Sequence, residues 1–127
     1  MAVAGLGTDL VETARFRRYL DENNTALLER LFTEAERSYA LSKRDPAPHL
    51  AARFAAKEAC LKAFGTGLRG GVRWLELEVV PDDLGCPRLV LSGIAADMAA
   101  ARNVNVVHLS YSHDGAYAVA TVILETS

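Results

Sequence analysis

The stretch from His49 to Phe64 constrains this chain more than any other. Pro48 stands at a first-turn position and Gly65 where a left-handed C-terminal cap belongs, so the two bracket a helix. On a 3.6-residue wheel, Leu50, Phe54, Leu61 and Phe64 form one bulky face, and Ala52, Ala55, Ala56, Ala59 and Ala63 form a smooth opposite face. A helix apolar on both sides is a buried one. Arg53, Lys57, Glu58 and Lys62 nevertheless sit on it, and a buried charge is costly unless it is paired, bound to metal or facing a ligand. Chemistry is expected here.

The flanking segments are shorter. Met1 to Thr8 is apolar and contains glycine, which predicts a first strand ending at Asp9. Val11 to about Asp21 reads as a helix with Val11, Phe16, Tyr19 and Leu20 inward and Arg15, Arg17 and Arg18 in water. Thr33-Glu34-Ala35-Glu36 is a capping box that starts another helix, which the loop Arg44-Asp45-Pro46-Ala47-Pro48 ends. Leu75, Leu77 and Val79 alternate with Trp74, Glu76 and Glu78 as in a half-solvated strand, and Pro81 to Gly85 turns it into a partner near Arg88 to Leu91. Ile94 to Arg102 is alanine-rich and helical. Val104 to Ser112 and Ala116 to Leu124 read as two further strands joined around His113-Asp114-Gly115. The order predicts an α+β fold, a small antiparallel sheet packed against helices. With 127 residues, one domain covering 1–127 is expected.

The 14 Lys and Arg are offset by 16 Asp and Glu, so no overall field recruits nucleic acid or an anionic membrane, and a site for an acidic partner has to be local. No apolar run approaches the ~20 residues of a membrane span, and the N-terminus lacks the positive flank of a signal peptide. Cys60 and Cys86 have no metal spacing and make no disulfide framework, which fits a reducing compartment; the expected location is the cytoplasm.

Asp9, where strand hands over to helix, and Glu58, on the central helix, are carboxylates from different elements that can share a hard cation. Mg²⁺ takes one or two protein carboxylates and completes its shell with water and phosphate oxygens, so such a pair near Lys62 suits a metal-phosphate site. Spacing alone favours the plainer reading, in which Glu58 and Lys62 form an i, i+4 pair and Asp9 caps a helix. Gly65-Thr66-Gly67-Leu68-Arg69-Gly70-Gly71 follows a helix and lacks lysine, the wrong order for a Walker loop, and reads as a C-cap. Gly5-Leu6-Gly7 lacks the third glycine of a dinucleotide fingerprint. His113, beside Asp114, is either a phosphate donor or proton shuttle, or a turn histidine bonded to backbone. His49 and His108 default to structural roles. The Arg15, Arg17, Arg18 cluster is a solvated face or a surface for an acidic protein.

Several of these segments together resemble one family, the small holo-acyl-carrier-protein synthases, which are phosphopantetheinyl transferases. The likeness rests on Gly5 to Glu12 followed by Arg15-Phe16, on Arg53-Phe54-Ala55-Ala56-Lys57-Glu58-Ala59 with Lys62 to Gly67, and on Ser110-Tyr111-Ser112-His113-Asp114 with Tyr117-Ala118. It implies transfer of the phosphopantetheine arm from coenzyme A to a serine of an apo acyl carrier protein, of fatty acid or polyketide type, with release of adenosine 3',5'-bisphosphate. By that likeness Asp9 and Glu58 hold Mg²⁺ and Lys62 neutralises the pyrophosphate. Arg53, Gly65, Thr66 and His113 meet coenzyme A phosphates or its nucleoside end, and Pro87 lies in an adenine-side turn. Glu58 or a metal-bound water is implied as base for the carrier serine, with Asp114 or His113 as alternatives. Arg15, Arg18 and Tyr19 fall where the family receives the carrier's acidic helix. The family assembles as homotrimers with sites in the clefts between subunits. Asp114 departs from the hydroxyl residue the family often has after the histidine, which bears on carrier preference. Two other readings are a binding module that holds coenzyme A or a carrier without transfer, and a purely structural α+β subunit.

Overall fold

The computed structural model describes all residues from Met1 to Ser127. Strand β1 (Ala2–Glu12) pairs antiparallel with β5 (Tyr117–Thr126), which pairs antiparallel with β4 (Val104–Asp114), giving a three-stranded sheet in the order β1-β5-β4. Between β1 and β4 run α1 (Thr13–Asp21), α2 (Thr25–Leu31), α3 (Glu34–Leu41), α4 (Pro46–Phe64), the hairpin of β2 (Leu77–Pro81) with β3 (Pro87–Leu91), and α5 (Gly93–Ala101). This is the α+β architecture expected from the order of elements.

The 19 residues of α4 are buried on nearly every side, with β1 and β5 against it on one flank and α1 and α3 on the other. Its alanine face is where the sheet comes closest. A Cβ at Gly7 would overlap the carbonyl of Ala59, and one at Gly5 the carbonyl of Ala63. The Gly5-Leu6-Gly7 segment therefore lets a strand lie on a helix backbone; it is a packing device and not a nucleotide fingerprint. The bulky face meets an aromatic cluster in which Phe54 stacks on Phe16 at 5.4 Å and on Trp74 at 5.1 Å.

Four expectations are corrected. β1 continues through Val11 and Glu12, because Val11 is buried opposite Ala118 and stays in the ladder, so α1 begins at Thr13. α4 begins at Pro46 and not His49: proline at N1 loses no hydrogen bond there, so the last three of the five expected loop residues are helix. Trp74–Glu76 is a 3₁₀ turn and not strand, which inverts the expected alternation: Leu75 is exposed and Glu76 buried, its Oε1 accepting from the Ala95 N–H at 3.1 Å in the first turn of α5. Short helix α2 was not expected; Asn24 caps it by accepting from Leu27 N–H at 3.3 Å.

Lys57 has a structural purpose. Its ammonium donates to Glu36 Oε1 at 2.7 Å and to the Trp74 carbonyl at 3.1 Å, with both charged side chains fully buried. The Glu36 carboxylate also accepts from Thr33 N–H and Val79 N–H, each at 2.8 Å. The expected capping box forms, and its glutamate doubles as counter-ion to the central helix. Burial pushes the Lys57 ammonium down, and Glu36 opposes that.

The sheet face turned away from α4 is uncovered and partly apolar: Leu6 and Leu10 of β1 are each more than 60% exposed (64% and 63%), and Tyr117 and Val119 of β5 and Val106 of β4 lie open beside them.

Candidate active site

Odd-numbered residues of β1 face α4, which places the Asp9 side chain, 14% exposed, beside the second half of that helix. Lys62 reaches across from α4 and donates to Asp9 Oδ1 at 2.8 Å and to the Thr8 carbonyl at 3.2 Å. That bond raises the Lys62 ammonium above its ordinary value. Glu58 lies one turn earlier on the same face and is half-buried; burial first, and then the negative charge of Asp9, push its carboxyl up, against the pull of Lys62 and Arg15. The plainer reading of these residues is therefore set aside. Lys62 pairs with Asp9 and not with Glu58, and Asp9 caps nothing, since the N-cap of α1 is Glu12.

Two carboxylates thus confront each other with one ammonium between strand and helix. That donor set fits a hard divalent cation: Mg²⁺ is content with two carboxylates and fills its shell with water and phosphate oxygens, and it relieves the repulsion that raises Glu58. No group of three or more His, Cys, Asp or Glu side chains forms a closed metal cage. One turn beyond Lys62, Gly65 adopts a left-handed conformation (φ 77°), and its N–H donates to Leu61 and Lys62 carbonyls at 2.9 and 3.0 Å. The helix stops there, and Thr66 follows with its hydroxyl 3.6 Å from the Met98 sulfur.

His113 and Arg53 form a second cluster. Asp9 lies opposite Ala120, whose other neighbour is Tyr111, so β1 and β4 stand two strand spacings apart, about 10 Å. His113, near the end of β4, meets the His49 ring edge-on at 5.3 Å. His49 and Glu58 are nine residues apart on α4, about 13 Å along it and half a revolution around it. His49, expected to play a structural role, reaches His113 through a contact between the end of β4 and the start of α4 that no local pattern announces. Arg53 is 2% exposed, donates through Nη1 to the His49 carbonyl at 3.4 Å, and leaves Nε without a partner. Asp114 is exposed at the hairpin turn, its side chain in no hydrogen bond or ion pair with His113.

Pro87 opens β3 and lines a cleft with Asp82, Cys86 and Arg88 against Val107 and His108 of β4. On α1, Arg15 Nε donates to the Tyr19 hydroxyl at 2.9 Å and its guanidinium stacks on Phe54, 4.9 Å from the ring centre, while Arg18 lies over Tyr19 at 5.5 Å. Neither arginine meets a carboxylate; Arg17 does, in a forked pair with Asp45 at 2.9 and 3.2 Å.

Residues 5–122 match the family model described as the 4'-phosphopantetheinyl transferase superfamily. A holo-[acyl-carrier-protein] synthase of Syntrophotalea carbinolica is 58% identical over 123 residues, covering 97% of this chain and 96% of the relative. Among solved structures, a holo-(acyl-carrier-protein) synthase from Bacillus anthracis, in complex with CoA (3',5'-ADP), superposes with a TM-score of 0.80 at 39% identity, covering 98% of each chain. The holo-[acyl-carrier-protein] synthase from Neisseria meningitidis does so with a TM-score of 0.89 at 32% identity, covering 98% of this chain and 100% of that one. No helix of the chain is long and apolar enough to cross a membrane. Fold and length agree with these relatives, and the chain belongs to the 4'-phosphopantetheinyl transferase superfamily, among its holo-acyl-carrier-protein synthases.

Proposed function

We propose that this chain transfers the phosphopantetheine arm of coenzyme A to a serine of an apo acyl carrier protein and releases adenosine 3',5'-bisphosphate. The observation that carries this reading is the convergence of Asp9, Glu58 and Lys62 from two elements onto one spot. Asp9 and Glu58 are the residues that would hold Mg²⁺, which when bound supplies charge neutralisation at the pyrophosphate. Lys62, its side chain 54% exposed, is already held by Asp9 and turns its ammonium to the oxygens that gain charge as the bond to phosphorus breaks. Gly65 ends α4 beside Lys62, and Thr66 after it offers its hydroxyl to the same group. Glu58 takes the serine proton, since Asp114 is exposed on a turn and His113 lies at the opposite edge of the sheet. Arg53 and His113 bind a second anionic part of coenzyme A, and Pro87 borders its adenine.

Arg15, Arg18 and Tyr19 dock the acidic carrier. Arg15 ties that surface to the centre, since its charge acts on Glu58. The homotrimer is part of the same reading: the open apolar face of the sheet wants a cover, and the placement of Asp9 and His113 on opposite outer strands suits a cleft completed by a neighbouring copy. The expected setting is the cytoplasm, where carrier and coenzyme A meet.

Mass spectrometry of several apo carriers incubated with coenzyme A, with Mg²⁺ or with a chelator, tests the reading. A carrier that gains one phosphopantetheine arm only with Mg²⁺ agrees with it. Coenzyme A binding without any modified carrier refutes it in favour of a binding module.

A further inference from the structure

The turn that follows α4 has little support of its own. Gly65, Gly67, Gly70 and Gly71 all adopt positive φ, between 58° and 89°, and glycine reaches such a backbone without stiffening it. The Gly65 N–H closes on the Leu61 and Lys62 carbonyls, but the Phe64 carbonyl has no partner within α4. Thr66 has one hydroxyl proton and two distant acceptors for it, the Gly67 carbonyl at 3.4 Å and the Met98 sulfur at 3.6 Å. A thioether accepts weakly, so a phosphate oxygen can take that proton over.

Helix α5 supplies what the turn lacks. Met98 and Arg102, which caps the end of α5, stand four residues apart and so share one side of it, and both reach the end of α4. Arg102 Nη1 donates to the Phe64 carbonyl at 2.5 Å, with the guanidinium 5.5 Å from the centre of the Phe64 ring. Arg102 enters none of the chain's ion pairs, so its charge rests on the negative end of the α4 dipole. The start of α5 is pinned as well. Ala95 N–H donates to the Glu76 carboxylate at 3.1 Å and Ser92 N–H to the Glu76 carbonyl at 3.0 Å, and a Cβ at Gly93 would overlap the Glu76 side chain. The helix therefore runs from Glu76 back to Phe64 and ties both ends of the glycine-rich loop.

We propose that Arg102 is a positioning residue for coenzyme A: by fixing the Phe64 carbonyl it sets, together with Met98, the place of the Thr66 hydroxyl before the ligand arrives. This rests on the role given to Thr66 in the function proposed above. A binding loop ordered in advance spares the complex the entropy of ordering it, and affinity gains accordingly. Arg102 itself needs no contact with the ligand.

The test is calorimetric titration of coenzyme A, with Mg²⁺ present, into the full chain and its variants. Arg102 is exposed, so Arg102→Leu leaves the core untouched. It should weaken coenzyme A binding by about tenfold, while the carrier KM and the circular dichroism spectrum stay near wild type. In a Thr66→Val background, where no hydroxyl is left to place, the same substitution should cost less than about threefold. An undiminished loss in that background would mean that Arg102 acts on the ligand directly and would overturn the proposal. So would wild-type affinity in Arg102→Leu, or an equal rise in the KM of both substrates. A wild type that shows the expected pattern but leaves every carrier unmodified would remove the transfer reading and keep the positioning role. An enzyme that modifies carriers but binds coenzyme A equally with and without the Arg102 side chain would remove the positioning role alone.

Discussion

Lys62 bonds Asp9 at 2.8 Å, across the gap between helix and strand, although Glu58 is its neighbour on the next turn of its own helix. The choice makes the centre. Asp9 is fixed by an exposed lysine, and Glu58 is left with a raised carboxyl and no ion pair, as the proposed cation site requires. The geometry that allows this is the contact of Gly5 and Gly7 with Ala63 and Ala59, which draws β1 onto α4. Gly7→Ala should therefore disturb both stability and activity, because a methyl group has no room against the Ala59 carbonyl.

The buried pair is a stability element. Lys57→Met strands the Glu36 carboxylate in the core, and removing one partner of a buried ion pair costs about 3–5 kcal/mol. Urea unfolding should show that loss. A change below ~1 kcal/mol would mean that the pair contributes little.

The two thiols should differ sharply. Burial pushes Cys60 up to about 12, while Cys86 is exposed on the β2–β3 turn. A thiol reagent at pH 8 should titrate one cysteine in the native protein and a second only in denaturant. Rapid labelling of both in the native state would show that α4 opens.

Charge reversal on α1 should act on the carrier. Arg18→Glu places a like charge before an acidic partner, so the carrier KM should rise by about tenfold or more. The coenzyme A KM should stay near wild type, and the wild-type carrier rate should fall with salt as a Debye length of about 10 Å at 0.1 M screens the encounter. Equal effects on both substrates would contradict the docking role.

Assembly should be needed for activity. If neighbouring copies complete the cleft, specific activity collapses on dilution along with the trimer seen by analytical ultracentrifugation. A fully active monomer would refute the shared cleft.

Much of this was legible because the signals were local. The capping box at Thr33 and the cap at Gly65 each act within a few residues and form as read, and the last two strands form as a hairpin, with β4 running on through His113 to Asp114. Lys57, Glu58 and Lys62 stood out as charges on a buried helix; Lys57 is wholly buried and serves the core, Glu58 is half-buried, and Lys62 is exposed and paired with Asp9. What was not legible depends on distant pairing. Nothing near Val11 says that β5 will hold it in the sheet, and nothing near His49 says that His113 will reach it. Glu76 was misread because its alternation with Leu75 and Leu77 imitates a strand, whereas the need to cap α5 turns it inward.

The most direct measurement of the central claim follows carrier modification and adenosine 3',5'-bisphosphate release in the same reaction, in the wild type and in Asp9→Ala. The account predicts one nucleotide released per carrier modified, dependence on Mg²⁺, and a rate at least about a hundredfold lower in Asp9→Ala with an unchanged fold by circular dichroism. Near-wild-type transfer by Asp9→Ala at saturating Mg²⁺ would contradict it.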